Sequence, residues 1–310
     1  MDFLTAALTI PTRGLSALGR QATRRLVKIP PTAALPHGRT IRLPGRGTTF
    51  VTDTGPREAP PLILLHSLAT TGMLTWYPAV AELAKHYRVV IFDQRWHGQG
   101  IRSQDFNLND CADDVVALAD ALRIDEFAAV GYSMGGVIAQ LAWRRHPERV
   151  SALVLCATAA TFHAGVRDRM AMAVLGRTMA STRELAVEHV SRHALTQLGA
   201  ETSEMDDYRW ALAEFRRTSA WAIGQALAAL GRFDSTSWVS EINVPSAVVV
   251  PDGDRLIPPD HQRWLANRIG GAALYEFQGG HAACVMRATQ FVPALAAAVA
   301  SVSLRRAPDQ

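Results

Sequence analysis

Ser133 sits in the run Gly131-Tyr132-Ser133-Met134-Gly135, between an apolar stretch at 127–130 and a stretch with helical character at 137–145. A serine at a tight turn from a buried strand into a helix is lifted clear of the sheet, as a nucleophile must be. Small residues two positions to either side are required because strand and helix nearly collide there. The turn also aims the backbone N–H of Met134, at a helix N-terminus, towards any oxyanion formed beside Ser133. Two other places supply partner chemistry. An apolar run at 247–250 ends in Pro251-Asp252-Gly253-Asp254, an acid-bearing turn at the carboxyl end of a strand, where open α/β sheets place their sites. A histidine, His281, follows Gly279-Gly280 directly after the apolar pattern at 273–277.

The elements that must hold these residues alternate. Strands are expected at 40–43, 49–52, 62–66, 88–92, 127–130, 152–156, 247–250 and 273–277, the later ones continuous apolar runs as in sheets covered on both faces. Helical patterns at 76–85, 110–122, 134–145, 259–269 and 288–302 separate most of them. Such alternation predicts a mostly parallel eight-stranded sheet with helices on both faces, opened by an antiparallel hairpin. Residues 158–240 break the alternation with Ala-, Arg- and Glu-rich helical periodicity, and read as a helical cap inserted into a core formed by 38–157 and 241–305.

The 310 residues, 48% apolar and 19% charged, describe a globular chain with a sizeable core. Its three cysteines, Cys111, Cys156 and Cys284, have neither metal spacing nor a disulfide framework, which fits a reducing, cytoplasmic setting. The charge is lopsided: residues 1–45 carry seven Lys/Arg against Asp2, so the rest is slightly acidic and no nucleic-acid surface is expected at the site. Residues 1–37 read as a basic amphipathic arm and a Pro-rich linker. The arm either lies on anionic membrane through residues 1–30 or docks on its own domain. Docking is favoured, because Leu15, Leu18 and Leu26 make a thin apolar face. No spanning helix is expected. His189 and His193, four apart, have metal-ligand spacing but no acidic partner, so no metal is expected.

With the serine, acid and histidine in that chain order, the sequence resembles the α/β-hydrolase superfamily over about residues 38–305, specifically a serine hydrolase with a helical cap. Val250-Pro251-Asp252-Gly253-Asp254, with Pro258 four residues beyond Asp254, resembles the family's acid turn, which favours Asp254 over Asp252. Leu64-Leu65-His66-Ser67-Leu68 resembles the loop that supplies the second oxyanion donor, here the N–H of Leu68 beside that of Met134, although Ser67 stands where the family usually has glycine. Asp93-Gln94-Arg95-Trp96-His97-Gly98 resembles a bracing loop of the family, with Trp96 in place of a glycine. The resemblance implies Ser133 as nucleophile, His281 as base and Asp254 as its orienting acid, with no cofactor. It implies cleavage of esters of small to medium, mainly apolar acids. Lactone or carbon–carbon-bond hydrolysis and cofactor-free perhydrolysis are alternatives with the same three residues, and a non-catalytic receptor module is the rival of another class. Trp96, Tyr132, Phe162, Trp210 and Trp221 are the candidates to line the substrate pocket, and the oligomeric state is left open.

Overall fold

A computed structural model describes residues 35–162, 166–181 and 205–304. The basic arm, apart from its last residues, and the histidines His189 and His193 lie outside the described residues. Eight strands form one sheet in the order β1-β2-β4-β3-β5-β6-β7-β8. They are β1 (Arg39–Leu43), β2 (Gly47–Thr54), β3 (Pro61–Leu65), β4 (Arg88–Phe92), β5 (Phe127–Tyr132), β6 (Val150–Cys156), β7 (Ser246–Pro251) and β8 (Ala273–Phe277). Strands β1 and β2 form the antiparallel hairpin, β2 pairs antiparallel with β4, and every later pairing is parallel.

The central strands are buried along their whole length because both faces are covered. Ile63, Leu65, Val90, Ala129, Leu153 and Val248 point to one face. That face is packed by α2 (Leu108–Ala121), α3 (Met134–Arg145) and α7 (Pro259–Arg268). Their strand neighbours Leu62, Leu64, Val89, Val130, Val154 and Val249 point to the other, packed by α1 (Gly72–Leu83) and α9 (Ala288–Leu304), which follows the short α8 (Ala283–Met286). The alternation is the period-two geometry of a strand applied to two helical layers.

The strand order reverses at β3. Its chain continues through α1 to β4 on one side, while β5 lies on the other and continues through α3 on the opposite face. Loops leaving β3 and β5 therefore diverge, and a crevice opens at the carboxyl ends of these two strands. Between β6 and β7 come α4 (Val166–Ser181), α5 (Met205–Arg216) and α6 (Ala220–Leu230). The end of α5 and the start of α6 meet residues that follow β3 and β4: Thr71 donates to Glu214 (2.7 Å) and the Gly98 N–H to Thr218 Oγ1 (3.3 Å). Behind them, Gln140 of α3 donates to the Ala159 carbonyl (3.2 Å) and accepts from Ser235 (2.8 Å), so both ends of the inserted stretch are tied to one helix. No helix of the described residues is long and apolar enough to cross a membrane.

The turn from β5 to α3 tolerates no side chain at its glycines. A Cβ on Gly135 would stand 2.1 Å from the Leu65 carbonyl oxygen, and one on Gly131 would stand 2.2 Å from that of Gly135. Gly135→Ala should therefore cost at least about 1–3 kcal/mol of stability, since backbone atoms cannot step aside as a flexible side chain would. Gly270→Ala, whose added methyl would meet nothing within 4 Å, should change stability by less than about 0.5 kcal/mol. Thermal or urea denaturation checks the contrast, and equal effects would contradict it.

Candidate active site

Ser133 has φ 54° and ψ −114°, a strained conformation for any side-chain-bearing residue. It is held there from both directions: its N–H donates to the Cys156 carbonyl (2.9 Å) and its carbonyl accepts from the Gly136 N–H (2.9 Å). Ser133 Oγ lies 2.9 Å from Nε2 of His281, and Nδ1 of the same ring lies 2.8 Å from Oδ2 of Asp254. Ser133, more than a hundred positions from both partners in the chain, thus joins them in one continuous relay. The order of the bonds requires Nδ1 to carry the proton that faces the carboxylate and leaves Nε2 able to accept from the hydroxyl.

Asp254 is buried, yet four donors reach its carboxylate. Oδ1 accepts from the N–H groups of Leu256 and Ile257 (both 2.9 Å), while Oδ2 accepts from the Gln262 side chain (3.2 Å) as well as from His281. Asp252, its rival in the sequence, accepts from the Gly279 N–H (3.2 Å) on the exposed side and does not meet the imidazole. It braces the loop that carries His281 instead.

The loop after β3 approaches the same turn. The Gly135 position abuts the carbonyls of Leu65 and His66, which sets the loop that carries Leu68 beside the first turn of α3, where Met134 lies. The Ser67 hydroxyl donates to the Leu68 carbonyl (3.3 Å). Ser67 is further fixed by Thr70, which donates to its carbonyl (2.9 Å), and by Thr75, which accepts from its N–H (3.3 Å). His66 is a brace: its Nε2 accepts from the Gln94 N–H (2.9 Å), so its Nδ1–H donates to the Ser67 carbonyl (2.8 Å).

The pocket candidates fall into different environments. The Tyr132 ring is buried among Trp76 and Phe291 on the α1/α9 face, and its hydroxyl donates to the His281 carbonyl (2.8 Å). As the residue next to Ser133 on β5, it is turned by strand alternation into the core beneath His281 rather than towards the crevice. Phe162 is buried in the core on the other face. Trp210 of α5 meets Tyr77 edge-on (5.4 Å), and Trp221 of α6 meets Trp96 (4.3 Å), so these pairs join the inserted helices to the core. Gln262 and the Tyr132 hydroxyl bond were not legible, because nothing in local sequence signals a partner that lies across the fold.

The bracing loop after β4 is built from buried ionisable groups. Asp93 accepts from the Gly72 and Gln99 N–H groups (both 2.8 Å), and burial still pushes its carboxyl up to about 6. Arg95 donates twice to Asp114 (both 2.8 Å), which Arg46 also contacts. Burial holds His97 down to about 4, and it holds His66 well below the usual imidazole range with help from His97.

The chain matches the family described as alpha/beta hydrolase fold over residues 60–286. The protein is an α/β hydrolase. A pimeloyl-[acyl-carrier protein] methyl ester esterase from Chromobacterium violaceum is 30% identical to this hydrolase over 258 residues, 80% of this chain and 96% of the relative. The 3-oxoadipate enol-lactonase 1 of Acinetobacter baylyi is 41% identical over 93 residues, 30% of this chain and 34% of the relative. Among solved structures, the enol-lactonase from Burkholderia xenovorans LB400 superposes with a TM-score of 0.72 at 25% identity, covering 84% of this hydrolase and 100% of that chain.

The buried titrating groups predict how stability responds to acid. His66 and His97 are neutral when folded but take up protons on unfolding below pH about 6.5. The unfolded state then binds more protons, and acid destabilises. Asp93 works in the opposite sense: between its unfolded value near 3.9 and its folded value of about 6 it holds a proton only when folded. Two imidazoles outweigh one carboxyl, so stability should fall by about 2–3 kcal/mol from pH 6.5 to pH 5. His97→Asn, which keeps a donor for the Arg95 carbonyl, should flatten that slope; a melting temperature that holds steady or rises towards pH 5 would contradict the assignment.

Proposed function

We propose that this hydrolase cleaves carboxylic esters of small to medium, mainly apolar substrates through an acyl-Ser133 intermediate. The observation that carries the reading is the relay itself: 2.9 Å from Ser133 Oγ to His281 Nε2 and 2.8 Å from Nδ1 to Asp254, at a turn that holds the serine in strain. In the first half-reaction Ser133 Oγ attacks the ester carbonyl carbon while its proton passes to His281 Nε2. The tetrahedral oxyanion is received by the N–H groups of Leu68 and Met134, fixed dipoles that need no reorganisation when charge develops. The intermediate collapses, the carbon–oxygen bond to the alcohol breaks, and the alcohol leaves with the proton from Nε2. A water then attacks the acyl-enzyme, gives a proton to Nε2, and the acid departs as Ser133 is regenerated. Asp254 stays ionised throughout and orients the ring. The helices between β6 and β7 act as a cap over the crevice.

Lactones are the second reading, favoured by the likeness to two enol-lactonases. Ring opening uses the same steps with the leaving alcohol still tethered. A receptor role is disfavoured, because a module that only binds has no need of an intact relay.

Hydrolysis of p-nitrophenyl esters tests the reading. Ser133→Ala should abolish turnover to within a small residual rate. Asp254→Asn should lower kcat by up to about 10⁴-fold, as for an orienting aspartate that fixes the tautomer. Asp252→Asn should cost less than about tenfold, because its carboxylate contacts only the loop. The reverse ranking of the two aspartates would overturn the assignment.

Ser67→Gly separates a loop brace from an oxyanion donor. Since the hydroxyl is directed at the Leu68 carbonyl, the substitution should keep kcat within about tenfold. A loss near 10²-fold, the size expected for one oxyanion donor, would mean that the hydroxyl binds the oxyanion.

A further inference from the structure

Trp96 has φ 65°, the left-handed region, where a bulky aromatic residue is sterically disfavoured and glycine is at ease. The surrounding loop enforces this conformation. The Trp96 N–H donates to the Ile101 carbonyl (2.9 Å), the His97 N–H to Gln94 (2.9 Å) and the Gly100 N–H to His97 (2.8 Å). A tryptophan kept at such a position is kept for its side chain.

That side chain is fixed on three sides. Its indole N–H donates to Ser103 Oγ (3.1 Å), the Arg102 guanidinium lies 5.3 Å from the ring centroid, and the Trp221 ring of α6 lies 4.3 Å away at 57°. Both rings are only half-buried, so part of each stays outside the core packing. Their place in the fold is specific. Trp96 stands two residues beyond Gln94, which makes two hydrogen bonds with His66, at 2.9 and 2.8 Å, in the loop that carries Leu68. Trp96 and Leu68 pack against the same core cluster. Trp221, in the first turn of α6, lies three residues after Thr218, which is itself bonded to Gly98 of the Trp96 loop.

We infer that the Trp96–Trp221 pair is the specificity-determining wall of the crevice, limiting the length of the acyl chain that reaches Ser133. The inference rests on the ester-hydrolase reading and adds to it a residue pair and a direction of selectivity. A rigid aromatic wall excludes extra methylenes by overlap, and each methylene admitted or refused in an apolar site changes kcat/KM by about 10–200-fold. The strain follows from this role: glycine would suit the backbone but would leave no wall.

The test compares kcat/KM for p-nitrophenyl decanoate with that for p-nitrophenyl acetate in the full chain. Trp96→Gly relieves the backbone strain and removes the core half of the wall. Trp221→Ala removes the cap half, and it decides the matter alone if the first variant does not fold. Each should raise the decanoate-to-acetate ratio at least about tenfold over the parent protein. A ratio that stays within twofold or falls in a folded variant overturns the wall while leaving the hydrolase reading intact. A parent protein with no Ser133-dependent turnover of either ester overturns both.

Discussion

A serine held at φ 54° between a buried strand and a helix stores about 1–3 kcal/mol of backbone strain, and the surrounding fold must supply it. The supply is visible in the packing. Gly131, Gly135 and Gly136 let β5, α3 and the end of β3 approach so closely that an added Cβ at any of them would overlap a neighbour. The same approach brings the loop after β3 alongside the first turn of α3, so one steric constraint sets Ser133 opposite His281 and the Leu68 loop beside the helix that Met134 begins. Gln140, one turn further along α3, then ties both ends of the inserted helices to that helix. The inserted helices, the loop after β3 and Ser133 are referenced to a single short segment.

Buried ionisable groups around this segment are met by partners of complementary character. Four donors converge on the buried Asp254 side chain, one of them the His281 imidazole. Arg95 and Asp114 form a two-bond pair: loss of Asp114 would strand the buried guanidinium at a cost of about 3–5 kcal/mol, whereas Asp114 is also met by Arg46. Burial disfavours the charged forms of His66 and His97, which pack against each other as neutral rings (5.2 Å). The result is a polar frame beneath the β3 and β4 loops.

Much of this was legible before any coordinates. Continuous apolar runs announced β4, β5, β6 and β7, because a strand covered on both faces has no polar side to hide. The glycines around Ser133 announced the turn, since no other residue fits there. Proline at position 258 separated Asp254 from Asp252, and the structure brings only the former to the imidazole. What was hidden depends on contacts between segments far apart in the chain. Tyr132 lies beside the nucleophile in sequence, yet strand alternation turns it into the core, where it holds the His281 carbonyl. Gln262 and Glu214 carry no local mark of their partners, and the left-handed backbone of Trp96 is invisible in a residue type that seldom adopts it.

The central claim is that the fold activates one hydroxyl and that His281 does the activating. A fluorophosphonate reports both in one measurement, because it bonds to an activated serine with loss of fluoride. Mass spectrometry of the intact protein and its peptides should find a single phosphonyl group, on Ser133, and labelling should collapse in His281→Ala while the protein stays folded. A label on any other residue, or undiminished labelling of Ser133 without His281, would contradict the account.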